Sequence, residues 1–344
     1  MTGTSAVTAV SAPNIALIKY WGNRNNELRL PAADSLSMCL SNPTVEVTVE
    51  RSSQLAVHSF DVEGHEKQMD LKHIVRFQQT IEGAKRYLFS IGVPEAIPDT
   101  LSITVRSAIP PSIGLASSAA VFSALAEAIA GLAERTRTLT REEVSVIARL
   151  GSGSAARSVM DGFVALAAGT GDDVGSAKAV EIASAGHWML YDIVIVPTKQ
   201  EKHVGSTEGH AMAWSSPNFK KRLEELPERQ RRAIEAIRHR DFATLQEVAE
   251  IDAKDMHEVM RTSSPSLEYL SPVTLKIVDA IEVYRKLKKL DVLYTMDAGP
   301  TVHLICTEES KDEVLHFAHN QQGCSVYVAH VGSGSKRLDH PHLA

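Results

Sequence analysis

The stretch from Pro110 to Leu132 reads PPSIGLASSAAVFSALAEAIAGL and joins a turn of small residues to an Ala-rich segment with apolar residues at helical spacing. Unpaired backbone N–H groups and the positive end of the helix dipole meet at such a turn, so it can bind an anion. Glycine and alanine let a phosphate approach the backbone, and serine hydroxyls add hydrogen bonds. A buried helix with a serine N-cap explains this stretch equally well, so the rest of the chain must decide.

The elements around this stretch follow the order that an anion-binding loop needs. The segment Leu101–Ser107 (LSITVRS) alternates like a strand and leads directly into the turn, so strand, turn and helix follow one another. Thr140 and Glu143 form a predicted capping box at the start of another helix, which stops at Gly151. Three amphipathic helices are predicted in the second half of the chain: 218–240, 242–260 and 272–290. Helices alternating with short strands favour the α+β class.

Composition excludes several classes of function. The chain has 344 residues, 44% apolar and 23% charged, with a net charge of -6 and a pI near 6.2. Without a basic block, it has little to neutralise the phosphates of nucleic acid. Cys39, Cys306 and Cys324 lack metal-ligand spacing and are too few for a disulfide framework. With no signal peptide and no run as long as a membrane span, we expect a cytoplasmic protein that binds neither nucleic acid nor membrane.

Three more stretches carry residues that could do chemistry, and each has a plainer explanation. NIALIKYWGN (14–23) puts a lysine, a tyrosine and a tryptophan at a strand end, which also suits an amphipathic rim of the core. GSGSAAR (151–157) combines two serines with a guanidinium, which suits a carboxylate or phosphate but also a solvated loop. MDAGP (296–300) holds an aspartate that could be catalytic or could cap its own turn.

Together APNIALIKYWGN, GLASSAA, GSGSAARS and YTMDAGP, in this order, resemble the mevalonate diphosphate decarboxylases of the GHMP kinase superfamily. The resemblance covers about Val7 to Ile305. It implies a GHMP-kinase-like α+β fold, with antiparallel or mixed sheets covered by helices and a cleft between two lobes. We place the lobes at residues 1–197, with the ATP phosphate loop, and 198–344, with the catalytic aspartate. The resemblance also implies a homodimer.

The activity implied by the resemblance is an ATP-dependent decarboxylation of a phosphorylated mevalonate, with Mg²⁺. Asp297 would orient the tertiary C3 hydroxyl and accept its proton, and Arg157 would hold the substrate carboxylate. Ser118 would lie near the γ-phosphate or contact Mg²⁺. The other residues of the predicted substrate pocket are Asn14, Lys19, Tyr20, Asn23, Ser152, Ser154 and Ser206. The residues predicted to hold the ATP phosphates are Ser112, Gly114, Leu115, Ala116, Ser117 and Ser118.

Asn23 is the departure from the family pattern that bears on the substrate. The family usually has KYWGK, whose second lysine reaches the diphosphate, and Asn23 stands at that position. A charged hydrogen bond is worth about 1.5–3 kcal/mol against about 1 kcal/mol for a neutral one, so a monophosphate loses less from the change. Arg24 could compensate. We predict mevalonate 5-phosphate as substrate and isopentenyl phosphate as product. The alternatives are the same reaction on mevalonate 5-diphosphate, a kinase without decarboxylation, and a non-catalytic binding relative.

Overall fold

The computed structural model describes residues 6–94, 97–98, 100–109, 117–134, 136–197 and 205–338. Over these residues the predicted α+β class is confirmed. The strands are β1 Val7–Ser11, β2 Asn14–Ile18, β3 Asn23–Asn25, β4 Leu30–Pro31, β5 Ser35–Cys39, β6 Val45–Arg51, β7 Ala56–Phe60, β8 Leu101–Ser107, β9 Phe163–Ala167, β10 Lys178–Ala183, β11 Leu190–Pro197, β12 Val292–Thr295, β13 Val302–Thr307, β14 Cys324–His330 and β15 Lys336–Leu338. The helices are α1 Leu71–Ser90, α2 Ser117–Ala133, α3 Arg141–Gly151, α4 Ser206–Met212, α5 Phe219–His239, α6 Phe242–Thr262, α7 Pro272–Lys288 and α8 Lys311–His319, with short 3-10 helices at Gly153–Ser158 and Ala213–Ser215.

These strands form three larger sheets and one small one. The strand orders are β15-β1-β6-β8-β7, β10-β9-β5-β2, β12-β13-β11-β14 and β3-β4. β7 pairs with β8 in parallel, and the other strand pairs are antiparallel. The sheet of β2 and the sheet of β12 and β13 carry NIALIKYWGN and MDAGP, so Lys19 and Asp297 stand just beyond the ends of strands, whereas Ser117 and Ser118 of GLASS lie on α2 and most of GSGSAAR lies on the first 3-10 helix.

The sheets group strands from both sides of residue 197. β11 ends at Pro197, yet it pairs with β13 and β14 from the second half of the chain. β15 is the last described strand, and it returns to pair with β1. The lobe boundary at residue 197 stays a prediction, and the chain crosses between the two halves more than once.

Helix α2 is buried along most of its length, as its alanines allow. Its residues pack between β1 and β6 on one side and α3 on the other, within the largest apolar core. A Cβ added at Gly131 would lie 2.6 Å from a methyl carbon of Val7, so glycine is needed there for β1 to approach the helix. The buried helix and the anion-binding turn predicted from this stretch are therefore compatible, because the helix body is core and Ser117 at its start is exposed.

Two further features follow from the sequence pattern. The capping box predicted at Thr140 and Glu143 is present at the start of α3, where each residue's side chain accepts from the other's backbone N–H. Among the described residues, no helix combines the length and the apolar content that crossing a bilayer would require.

Candidate active site

Lys19 and Asp297 form an ion pair between the two halves of the chain. Lys19 follows β2, and Asp297 lies in the turn between β12 and β13. The distance from Lys19 Nζ to Asp297 Oδ1 is 2.6 Å, and the side chains are 1% and 33% exposed. The lysine is therefore buried, whereas the carboxylate keeps an open side.

A buried pair of charges holds the backbone of Lys19. The carboxylate of Asp252 on α6 accepts from the Lys19 N–H at 2.6 Å, and Arg222 on α5 donates to the Lys19 carbonyl at 3.3 Å. Arg222 and Asp252 lie 2.9 Å apart and both are fully buried. Because both backbone groups of Lys19 are bonded to this pair, the ammonium that contacts Asp297 is carried on a fixed strand end.

The surroundings of Asp297 keep it ionised. Crowding by the protein raises the pKa of this carboxyl, but the Lys19 ammonium beside it, then His303 and Arg157, lower it, and the net shift is downward. An ionised carboxylate with one open side is suited to accept a proton from a bound hydroxyl group.

Arg157 is a buried guanidinium that has no carboxylate within ion-pair distance among the described residues. It lies in the 3-10 helix, donates from Nε to the hydroxyl of Ser37 at 2.5 Å and from Nη1 to that of Ser35 at 2.8 Å. Burial lowers its pKa to about 10, and Asp297 opposes that shift. Two serines use two of its five N–H groups, so three remain for a ligand.

A row of serine hydroxyls links this region to the first turn of α2. Ser118 Oγ lies 3.2 Å from Ser152 Oγ, which lies 3.2 Å from Ser154 Oγ. A Cβ added at Gly153 between them would lie 2.3 Å from the Tyr20 ring, so the glycine lets the aromatic ring pack directly on the turn. The motifs GLASS and GSGSAAR and the residue Tyr20 are therefore adjacent in space.

Asn14 holds the turn that contains Ser152 and Ser154 through two hydrogen bonds. Its amide donates to the Ser154 carbonyl at 2.9 Å and to the Ser158 hydroxyl at 2.7 Å. Its Oδ1 is buried and has no hydrogen-bond partner among the described residues. Asn14 thus positions the turn, and its oxygen is left for a donor that the described residues do not supply.

Asn23 and Arg24 differ in where they lie relative to the site. Tyr20 donates its hydroxyl to Asn23 Oδ1, and burial raises the Tyr20 pKa to about 12. Arg24 donates to the Ala168 carbonyl at 2.9 Å and to the Ser176 hydroxyl at 3.1 Å. Asn23 therefore borders the tyrosine, whereas the guanidinium of Arg24 is bound to a neighbouring loop and does not replace the missing lysine.

Arg29 and Arg76 are the cations that sequence reasoning missed. Arg29 Nε donates to the Leu150 carbonyl at 3.0 Å, and Arg76 Nε donates to the next carbonyl, that of Gly151, at 2.7 Å. Burial and the neighbouring Arg29 lower the pKa of Arg76 to about 9. Neither arginine has a carboxylate within ion-pair distance among the described residues.

The positive charges of Arg29 and Arg76 affect the ionisable groups around Tyr20. The charge of Arg29 lowers the pKa of Tyr20, and the charges of Arg29 and Arg76 both lower the pKa of His210. No motif signals Arg76, since it stands on an amphipathic helix among exposed residues. Arg29 has a backbone φ of 48°, which is uncommon for a residue other than glycine, and the sequence shows no sign of it.

His210 covers Tyr20 from α4. Its ring stacks on Tyr20 at 4.5 Å and on Trp21 at 4.6 Å between centroids, and its Nδ1 accepts from the Gly22 N–H at 3.0 Å. Burial, aided by the arginines, lowers its pKa to about 3. His210 is thus a neutral acceptor that closes one side of the site.

Several predicted residues fall outside what the structure describes. The predicted ATP contacts Ser112, Gly114, Leu115 and Ala116 lie in the undescribed segment 110–116, whereas Ser117 is exposed and Ser118 half-buried at the start of α2. Ser206 begins α4, but its side chain is not described. The roles assigned to these residues stay predictions.

Two family models together match most of the chain. Residues 11–177 match a family model described as the diphosphomevalonate decarboxylase-like N-terminal domain, and residues 192–338 match one described as the mevalonate 5-diphosphate decarboxylase C-terminal domain. A diphosphomevalonate decarboxylase of Candida albicans is 35% identical over 90% of this chain and 88% of its own length. One of Saccharomyces cerevisiae is 30% identical over 93% and 83%.

Solved structures show the same relationship. A structure described as MDDEF in complex with MVAPP, AMPPCP and magnesium superposes with a TM-score of 0.85 and 26% identity, covering 97% of this chain and 99% of the other. Mevalonate diphosphate decarboxylase from Trypanosoma brucei gives a TM-score of 0.84 and 27% identity, covering 99% of each chain.

Proposed function

Because the chain belongs to the mevalonate diphosphate decarboxylase family, an enzyme family of ATP-dependent carboxy-lyases, we propose that it converts mevalonate 5-diphosphate and ATP to isopentenyl diphosphate, ADP, phosphate and CO₂. The observation that carries the proposal is the Lys19–Asp297 pair beside Arg157. One ionised carboxylate has an open side, and one buried guanidinium has no carboxylate within ion-pair distance in the described part of the chain.

Asp297 acts on the hydroxyl that is phosphorylated. A tertiary alcohol is a weak nucleophile, and a carboxylate within hydrogen-bond reach can orient it and accept its proton as the phosphoryl group transfers. Lys19 holds one carboxylate oxygen at 2.6 Å, so the other is left for the substrate. The open third of the Asp297 surface is where that hydroxyl would bind.

Arg157 holds the carboxylate that leaves as CO₂. Its charge persists at neutral pH although burial lowers its pKa to about 10. Ser35 and Ser37 fix the guanidinium plane, so the remaining N–H groups can bind a carboxylate without reorganising. An arginine that serves this purpose favours decarboxylation over a kinase that stops at the phosphorylated intermediate.

The residues at the start of α2 fit a nucleotide and its magnesium ion. The first turn of α2 presents helix-end N–H groups, and Ser118 has a hydroxyl within 3.2 Å of Ser152. ATP supplies the phosphoryl group that turns the C3 hydroxyl into a leaving group, and Mg²⁺ offsets phosphate charge. The α2 turn would hold the phosphates, and the serine row would keep them next to the substrate.

The monophosphate predicted from Asn23 is not supported as the substrate. The relatives are named for the diphosphate, and a structural neighbour is described in complex with MVAPP. Arg29 and Arg76 also weaken the argument from Asn23, because they bring two cations to the same side of the site. A diphosphate carries negative charge that would balance the two positive charges of Arg29 and Arg76. The homodimer and the cytoplasmic location stay predictions.

The test is a paired substrate assay. Purified protein with Mg²⁺ and ATP is given mevalonate 5-diphosphate or mevalonate 5-phosphate, and ADP and CO₂ are measured in the same reactions. We expect equal amounts of ADP and CO₂ and a higher kcat/KM for the diphosphate. A higher kcat/KM for the monophosphate would identify mevalonate 5-phosphate as the preferred substrate. ADP without CO₂ would indicate a kinase, and no ADP would contradict an enzymatic role.

A further inference from the structure

Helix α6 packs against the two strands that lead to Lys19 and Asp297. β2 ends just before Lys19, and β12 ends two residues before Asp297. In the described sheets β2 and β12 are edge strands of two different sheets, and α6 contacts both. Buried backbone N–H groups on the outer side of an edge strand need an acceptor. The helix is therefore placed to supply acceptors to both strands.

The first acceptor is the carboxylate of Asp252. Its Oδ2 accepts from the Lys19 N–H at 2.6 Å and from Arg222 at 3.2 Å, and its Oδ1 lies 2.9 Å from the other terminal nitrogen of Arg222. Arg222 also donates to the Lys19 carbonyl at 3.3 Å. The side chains of Asp252 and Arg222 are fully buried, so water does not compete for these bonds.

The second acceptor is the carboxylate of Glu250, two residues earlier on the same helix. Its Oε1 accepts from the Tyr294 N–H of β12 at 3.2 Å, and its Oε2 accepts from Arg285 of α7 at 3.0 Å. Arg285 also donates to the Val292 carbonyl of β12 at 3.2 Å. The Glu250 and Arg285 side chains are 10% and 12% exposed. This second carboxylate–guanidinium pair therefore holds β12 in the way that the first pair holds Lys19.

The two pairs repeat one arrangement at two strands. In each pair a carboxylate of α6 accepts a strand N–H, while its arginine partner donates to a carbonyl of the same segment. Residues two apart on a helix do not share a face, so Glu250 and Asp252 can reach different strands. The Thr295 hydroxyl also joins the strands directly, by donating to the Ala16 carbonyl at 3.4 Å. The spacing between the ends of β2 and β12 therefore depends on the helix that is bonded to both.

We propose that α6 sets the contact between Lys19 and Asp297. Asp252 is the positioning residue for Lys19, and Glu250 is the positioning residue for the strand that leads to Asp297. The inference rests on the proposed function, because it assigns α6 a role in the same reaction. Lys19 Nζ and Asp297 Oδ1 lie 2.6 Å apart, and a displacement of about 1 Å at a reacting group can cost about 10²-fold in rate.

Replacing either carboxylate by its amide tests the role at almost constant size. Both oxygens of Asp252 and both oxygens of Glu250 face donors, so an amide NH₂ must face a donor whichever way it is turned. Arg222 keeps Asp255 as a partner at 2.6 Å, so Asp252→Asn should fold. In Asp252→Asn and in Glu250→Gln we expect kcat to fall by about tenfold and KM for ATP to stay within about twofold.

Glu127→Gln is the matched control for the loss of a buried ion pair. The Glu127 side chain is 8% exposed, and it accepts from Arg141 and from the Ser335 hydroxyl, away from β2 and β12. This variant should keep kcat even where its thermal stability falls.

Lys19→Met provides a second test of the route of action. If Asp252 acts through Lys19, adding Asp252→Asn to Lys19→Met should change kcat by less than about twofold, because the two substitutions are then not additive. A full tenfold loss in that background would contradict the assigned role of Asp252.

The Lys19 ammonium gives a readout that does not depend on turnover. Its ¹H–¹⁵N signal, assigned by its loss in Lys19→Met, is recorded in wild type and in each variant. We expect this signal to shift or broaden in Asp252→Asn and Glu250→Gln and to stay unchanged in Glu127→Gln, even if neither mevalonate substrate reacts. Folded Asp252→Asn and Glu250→Gln proteins with an unchanged signal and a kcat within about twofold of wild type would overturn the inference.

Discussion

Two cationic regions of the site differ in whether the protein supplies their counter-charge. Lys19 is paired with Asp297 at 2.6 Å. Among the described residues, Arg29 and Arg76 have no carboxylate within ion-pair distance. They donate to two successive backbone carbonyls, Arg76 also lies over the Phe122 ring, and their charges repel. A cation that is paired with a carboxylate acts on that carboxylate. Two adjacent cations that have no carboxylate partner among the described residues can instead bind an anionic ligand. The first region therefore suits proton transfer, and the second suits binding of phosphate.

The largest effect is expected from Asp297→Asn, which breaks the paired region. The amide can still accept from Lys19 but cannot take a proton, so kcat should fall by about 10³-fold, within the range for a general base. Release of CO₂ measures kcat, and thermal unfolding checks that the fold is intact. Asp291→Asn is the control, because Asp291 is exposed just before β12. Near-normal turnover in Asp297→Asn would remove Asp297 from the mechanism.

A smaller effect is expected from Arg29→Gln and Arg76→Gln, which break the unpaired region. Each should raise KM for the diphosphate by about tenfold and leave kcat within about threefold, because a charged hydrogen bond is replaced by a neutral one. The effect on mevalonate 5-phosphate should be weaker. Arg51→Gln, at the exposed end of β6, is the control. If both substrates lose equally, the two arginines do not distinguish the phosphates.

The smallest effect concerns His210, which packs against Tyr20 and Trp21. Its pKa is about 3 in the folded protein and about 6.5 when unfolded. The unfolded chain therefore binds one more proton between these values, and the free energy of unfolding falls as the pH drops below 6.5, by up to about 1.4 kcal/mol per pH unit. His210→Gln should remove the contribution of about one proton from the slope of the free energy of unfolding against pH.

Urea unfolding of wild type and His210→Gln at pH 7 and pH 5.5 measures that difference. Glutamine can accept from the Gly22 N–H in place of the ring, so the fold should be kept. Equal pH dependence in the two proteins would mean that the ring takes up a proton as readily in the folded state as in the unfolded chain, contrary to its lowered pKa.

The first turn of α2 shows what the local sequence pattern can and cannot predict. The sequence alone left a buried helix and an anion-binding turn as equal explanations, and the structure shows a buried helix body with an exposed start. Both explanations came from local information, because spacing of apolar residues decides which face of a helix is buried. The capping box of α3 was predictable for the same reason, since it joins residues three apart.

The comparisons do not support the prediction of a monophosphate substrate, which rested on position 23 and its immediate neighbour. Asn23 lacks a charge, and the neighbour Arg24 was the evident replacement, yet Arg24 is bound to the Ala168 and Ser176 loop. We propose that Arg29 and Arg76 are the compensating cations. They stand on a hairpin and a helix that no local pattern joins. Only packing against the end of α3 places their side chains on adjacent carbonyls.

The amino-acid sequence by itself determined the α+β class, the family and the residues of each motif, because these depend on periodicity and on short-range order along the chain. The tertiary structure alone decided which charges are paired. Lys19 meets Asp297, and Asp192 meets His303, across separate strands. The physical reason is that burial and distance set the energy of a charge, and both arise only when distant segments pack together.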